Sequence, residues 1–172
     1  MKTYRVTKYN PDQRDSQGTY ITKDWTSISD IGKVFKDKRI TIEDYLLVED
    51  AYINTLQTFM NLTSSKTFNL AEVEYGENID DIHAPSIYTT FQKNMLGNIN
   101  LKSEFNEQET LEICRLILRE NLWCKINSTN KKLIFEFGYD FYMYITAEIV
   151  FEVMKNEILN RFGLYLEVDW DL

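Results

Sequence analysis

Residues 2–9 (Lys-Thr-Tyr-Arg-Val-Thr-Lys-Tyr) alternate at period two and are rich in β-branched and aromatic side chains, which predicts an opening strand. Asn10-Pro11 breaks that pattern, and Asp12 to Gly18 reads as a polar loop. The segment 25–32 (Trp-Thr-Ser-Ile-Ser-Asp-Ile-Gly) predicts a short helical turn, opened by hydroxyl caps and closed by Gly32. At Thr41 the period lengthens. Thr41 with Asp44 three residues on resembles a capping box, and Tyr45, Leu46, Glu49, Tyr52, Ile53, Leu56, Phe59 and Met60 recur at helical spacing. The spacing predicts a helix over 42–61, with Glu49 the single polar member of its stripe. Ser64-Ser65 ends it, and residues 67–75 alternate as a strand.

Residues 76–104 carry no readable period. From 105 the pattern returns: Asn106 caps a helix over 107–120, with Leu111, Cys114, Ile117 and Leu118 on its stripe. Three alternating runs follow, led by Leu122, Leu133 and Phe141 and separated by Ser128-Thr129-Asn130 and Gly138-Tyr139-Asp140. They predict a meander over 122–145 with one dry face and one aromatic face. A last helix is expected over 147–161, with Ala147, Val150, Phe151, Met154 and Ile158 as its stripe and Gly163 closing it. A final strand alternates from Leu164 to Trp170. Together these predict an α+β fold: a mainly antiparallel sheet, made of the meander 122–145 and N- and C-terminal strands, packed by three main helices in one domain spanning 1–172.

At 172 residues the chain is long enough to bury a core without disulfides or a metal. Two cysteines, Cys114 and Cys124, fall on apolar stripes and read as reduced core thiols. The start of the chain lacks the apolar run of a signal peptide, and nothing approaches a membrane span, so a soluble cytoplasmic protein is expected, with no membrane partner. The net charge of −8 is uneven: residues 1–40 carry +4, residues 41–112 carry −10 and residues 113–172 carry −2. An acidic middle repels phosphate backbones and favours a basic partner over nucleic acid.

Candidate chemistry is sparse. With one histidine, any nucleophile–base pair must use His83. The cluster Asp80, Asp81 and His83 is the sharpest metal-like group and would serve a metal-dependent hydrolase, yet no second ligand pair accompanies it at a characteristic spacing. Six glycines form no phosphate loop. No catalytic residue, resident metal or cofactor is assigned. What remains is surface chemistry: Tyr142 and Tyr144 on one strand face, Tyr139 and Asp140 at its turn, and Trp123 nearby, all residue types that enrich protein interfaces. The competing reading packs that aromatic face under the 147–161 helix.

Several phrases carry a resemblance. Tyr-Arg-Val-Thr-Lys-Tyr-Asn-Pro at 4–11, the 25–32 segment and Asp-Tyr-Leu…Val-Glu-Asp-Ala-Tyr-Ile at 44–53 form its first half. Leu-Arg-Glu…Leu-Trp-Cys-Lys at 118–125 and Phe-Gly-Tyr-Asp-Phe-Tyr-Met-Tyr-Ile at 137–145 form its second. Over most of the chain except 76–104, these resemble small bacterial immunity proteins of polymorphic toxin systems. The resemblance implies a cytosolic binder that blocks a cognate toxin domain, with no catalytic residues to carry over. Those proteins often place a histidine where this chain has Glu136, which argues against a chemical role there. The expectation is therefore an immunity protein whose acidic segment (Glu72, Glu74, Glu77, Asp80, Asp81) steers a basic toxin domain and whose Tyr139, Asp140, Tyr142 and Tyr144 anchor it. A generic interaction module is the third reading.

Overall fold

The computed structural model describes residues 1–21, 23–76, 84–99 and 102–168. Its main sheet contains β1 (Lys2–Thr7), β4 (Thr67–Tyr75), β5 (Phe105–Asn106), β6 (Leu122–Ser128), β7 (Leu133–Phe137), β8 (Met143–Ala147) and β9 (Tyr165–Val168). Their spatial order is β5-β4-β6-β7-β8-β1-β9, and every recorded pairing is antiparallel. A separate hairpin pairs β2 (Val34–Phe35) with β3 (Lys38–Arg39). The helices are α1 (Ile42–Thr63), α2 (Thr90–Asn98), α3 (Glu107–Leu118) and α4 (Phe151–Phe162). The α+β expectation holds, with a fourth helix, α2, in the stretch whose sequence carried no period.

Local chemistry explains the helix ends. Capping boxes open α1 (Thr41 with Asp44), α2 (Thr89 with Gln92) and α3 (Asn106 with Glu109), each satisfying backbone donors that have no partner within the helix. Ser64, left-handed at φ 53, ends α1. Gly163 at φ 70 ends α4, where a side chain would be strained.

One expectation needs correction. The last helix does not begin at 147. Ala147 is the buried end of β8, paired with Lys2 and Leu133, and α4 starts at Phe151. Ala147 fits the helical stripe by spacing, but two strand neighbours claim its backbone.

The meander's alternation fixes both sheet faces. Leu122, Cys124, Ile126, Leu133, Phe135, Phe137, Met143 and Ile145 are buried in one contiguous apolar core with stripe residues of α1 and α3. Phe151 of α4 stacks on Tyr4 at 5.7 Å, and Tyr4 is buried, so α4 packs on this dry side. The second face carries Trp123, Lys125, Glu136, Tyr142, Tyr144, Arg5 and Glu167, all half-buried. Segment 9–20 flanks part of it: Arg14 binds Glu167 at 2.7 Å, and Tyr9 and Tyr142 meet edge-on at 6.1 Å. The aromatic face is thus not beneath the last helix.

A buried charge cluster ties the helices together. Glu49, fully buried on α1, accepts from Arg115 Nη1 at 2.6 Å and from Arg119 Nε and Nη2 at 2.7 Å each. Arg119 also donates to Gln92 of α2 at 2.9 Å and lies 4.9 Å from the Tyr88 ring centroid. No buried side-chain polar atom lacks a partner among the described residues.

Candidate functional site: an acidic, aromatic groove at one end of the sheet

The site begins with a turn the chain adopts at some cost. Between β7 and β8, Tyr142 N donates to Tyr139 O at 3.1 Å and Gly138 N to Tyr142 O at 2.8 Å. The two central residues, Asp140 and Phe141, are both left-handed, at φ 58 and 59. Asp tolerates this region, but a bulky residue there is strained by about 1–3 kcal/mol. Burial holds Phe141 in place. Its ring lies 5.2 Å from Trp25, 5.9 Å from Tyr52 and 6.3 Å from Tyr45, and the Tyr52 hydroxyl donates to its carbonyl. The Lys8 ammonium, itself 3.9 Å from the Trp25 ring centroid, sits 5.6 Å from the same Phe141 ring. With Phe141 pinned inward, Tyr139 projects outward at 92% exposure. A large aromatic side chain is held out in water by a strained, well-anchored turn.

Beside it runs a groove of about 720 Å³, the size of many ligand sites. Its walls come from the end of β4, the start of β6, the β7–β8 turn, the C-terminal end of α3 and the 26–27 loop. The rings of Tyr75, Trp123, Tyr139 and Tyr144 line it, together with the carboxylates Glu74, Glu120, Glu136 and Asp140. Among the described residues, no lysine or arginine does. Glu136 meets Lys125 at 3.7 Å across the strands. Glu74, Glu120 and Asp140 make no ion pair among the described residues.

Three local features assemble these walls. The β4–β6 register shifts between Ala71, opposite Lys125, and Glu74, opposite Trp123. Three residues on β4 therefore span two on β6, and Glu72 turns left-handed at φ 55 within this bulge. The extra residue reverses the facing of everything after it. Simple alternation would place Glu74 with Phe68 and Leu70, towards the core; the bulge sets it beside Trp123 instead. Next, Gly76 donates to Asn121 O at 3.0 Å, and a Cβ there would stand 2.6 Å from Glu120 O, so only glycine lets β4 approach the end of α3 this closely. Finally, a Cβ at Gly138 would sit 3.0 Å from the Tyr144 ring, so its absence leaves room for the tyrosine against the turn. Trp123 is fixed too, its indole N–H donating to Phe137 O.

The expected site residues are only partly united. Glu74, Tyr139, Asp140 and Tyr144 line the groove. Glu72 is exposed at the bulge and does not. Tyr142 lies on the same strand face but packs against Tyr9 and under Arg5, whose guanidinium is 5.3 Å from its ring; burial pushes its hydroxyl up to about 12. Glu77, Asp80, Asp81 and His83 lie outside the described residues, and with them the metal-hydrolase cluster. No group of metal-binding side chains occurs among the described residues. Cys114 and Cys124 are buried and free. Tyr75, Glu120 and Glu136 were not anticipated as wall residues. Trp123 and Glu136 lie on strands whose alternation sets their facing, whereas Glu120 follows the C-cap Arg119 of α3 in a left-handed conformation, at φ 61, that its residue type does not announce.

Compared with protein-family models, curated proteins and solved structures, the chain matches none of them. Its chemistry must be read from the groove itself. Rings and unneutralised carboxylates together form a surface for cationic and amphipathic side chains.

Proposed function

We propose that the protein is an immunity-type binder that neutralises a cognate bacterial toxin domain by direct contact, from within the cytoplasm. The observation that carries this reading is Tyr139, held almost fully exposed on a strained turn at the mouth of an acidic, aromatic-lined groove. Strained backbone persists where something requires it, and rigid exposed tyrosines are frequent anchors in protein interfaces. The carboxylates supply long-range attraction for a basic partner and would raise its association rate. No helix among the described residues is long and apolar enough to cross a membrane.

The test is co-expression with the product of the neighbouring upstream reading frame. One-to-one co-purification together with rescue of a growth defect supports the proposal; neither binding nor protection removes it. Within a complex, Tyr139→Ala is expected to lower affinity by about 2 kcal/mol or more, mostly through faster dissociation. Glu74→Lys with Asp140→Lys should mainly slow association. If both rates are untouched, the groove is not the contact surface.

A further inference from the structure

We propose that the groove accepts an arginine side chain from a short basic segment of the protein partner, with its guanidinium laid against the Trp123 and Tyr144 wall and paired with Glu74 and Glu136. This deepens the partner-binding reading of the same groove and rests on it. Three of the chain's own arginines are already seated in this way. Arg119 lies 4.9 Å from the Tyr88 ring centroid and pairs with Glu49 at 2.7 Å. Arg14 lies 4.7 Å from Tyr20 and pairs with Glu167 at 2.7 Å. Arg5 lies 5.3 Å from Tyr142 and 3.3 Å from the same Glu167. In each case a planar cation uses both properties that distinguish it from an ammonium: a flat face for a ring and a fork of donors for a carboxylate.

The groove offers the same two kinds of partner. Glu74 stands opposite Trp123, and Glu136 opposite Tyr144, in the strand register. Each ring therefore has a carboxylate on the adjacent strand and the same sheet face, the juxtaposition that a stacked, paired guanidinium uses. Among the described residues no cation lines the groove, and the one carboxylate there with an ion pair, Glu136, is held by Lys125 at a loose 3.7 Å. The charge to be matched is thus positive. A volume of about 720 Å³ exceeds one side chain, so the occupant is a segment with its arginine inserted and flanking residues at the rim.

The test uses the full-length protein and a capped Gly-Arg-Gly-Arg-Gly peptide, with lysine and citrulline counterparts. The readout is the indole N–H resonance of Trp123, assigned among the three tryptophans by Trp123→Phe. The arginine peptide should shift that resonance saturably with Kd near about 1 mM, the range expected of one stacked ion pair at a partly wet site. The lysine peptide should bind at least threefold more weakly, and the citrulline peptide should leave the resonance unmoved. Glu74→Gln with Glu136→Gln should weaken arginine binding at least fivefold, whereas Asp12→Asn, on the exposed N-terminal loop, should not. No saturation by about 10 mM overturns the inference, as does equal binding of citrulline, lysine binding as tight as arginine, or indifference to the Glu74 and Glu136 changes. The two proposals fail separately. Peptide binding without any toxin binding overturns the immunity reading alone, while toxin binding without a peptide-induced Trp123 shift overturns the arginine seat alone.

Discussion

Glu49→Gln should be among the most damaging single substitutions in this chain, although it is isosteric and Glu49 itself does not line the groove. Glu49 has no exposed surface, and it holds Arg119, whose side chain is 3% exposed, through two bonds at 2.7 Å. The amide keeps the shape and removes the charge, which leaves a buried guanidinium uncompensated. Breaking one side of a buried pair costs about 3–5 kcal/mol. Arg115 softens the loss little, because it is more exposed and retains Asp50 at 2.8 Å. With a urea slope of about 2 kcal/mol/M the midpoint should fall by about 2 M, and Tm by about 10 °C. Replacing both partners, Glu49→Met with Arg119→Met, should be less harmful than either single change, since the net worth of such a pair against apolar packing is small. The cluster sits one residue before Glu120, so the weakened variant should also lose partner affinity. A Glu49→Gln midpoint within about 0.5 M of the parent would refute this account of what holds α1, α2 and α3 together.

Other substitutions report on separate parts of the argument. Burial pushes the Lys8 ammonium down to about 8 from its ordinary 10.5, against the pull of Asp24 at 3.5 Å. Between pH 8 and 10.5 the unfolded chain keeps a proton that the fold has released, so this group adds stability as pH rises. Urea titrations across that window should show a steeper rise for the parent than for Lys8→Met, and parallel curves would contradict it. Burial also pushes the Cys124 thiol up to about 12 and raises Cys114, so neither should react with a disulfide reagent at pH 8 until denaturant is added. Rapid labelling of the native protein would show that the packing between α3 and β6 is wrong. Gly76→Ala should lower stability by about 1–3 kcal/mol through overpacking against Glu120 O; an unchanged melting temperature would show that β4 can withdraw from α3.

What was legible in the sequence was what local patterns encode. The Thr41–Asp44 and Asn106–Glu109 boxes and the apolar stripes behind them give α1 and α3 because cap and stripe lie within a few residues of each other. The meander followed from unbroken alternation between turn signals. The 28–30 turn was visible through Ser27, whose side chain does cap it. Failures came where distant contacts decide. Only Gln92 and Leu96 of α2 are buried, too few to print a period, and Gln92 gains its partners from Arg119 and Glu112 on α3's side of the fold. The hairpin of β2 and β3 turns on left-handed Lys36 and Asp37 with no glycine or asparagine to announce it. Glu49 stood out as the polar member of an apolar stripe, yet nothing local identified Arg115 and Arg119 as its partners.

The candidate site was harder to read than the core for a related reason. Tyr139, Asp140 and Tyr144 were visible as aromatic and acidic residues of one hairpin, but two of the groove's four carboxylates arrive through backbone conformations that their residue types do not advertise. Glu74 faces Trp123 because Glu72 makes a bulge without glycine, and Glu120 occupies the left-handed region itself. Each such residue opposes the easiest local geometry, and the consequence in every case is a carboxylate directed at the same groove. Had selection acted on stability alone, glycine or asparagine at 72 and 120 would serve those backbones better. Left-handed backbone and unpaired negative charge around one exposed tyrosine make sense when a cationic partner supplies the compensating contacts.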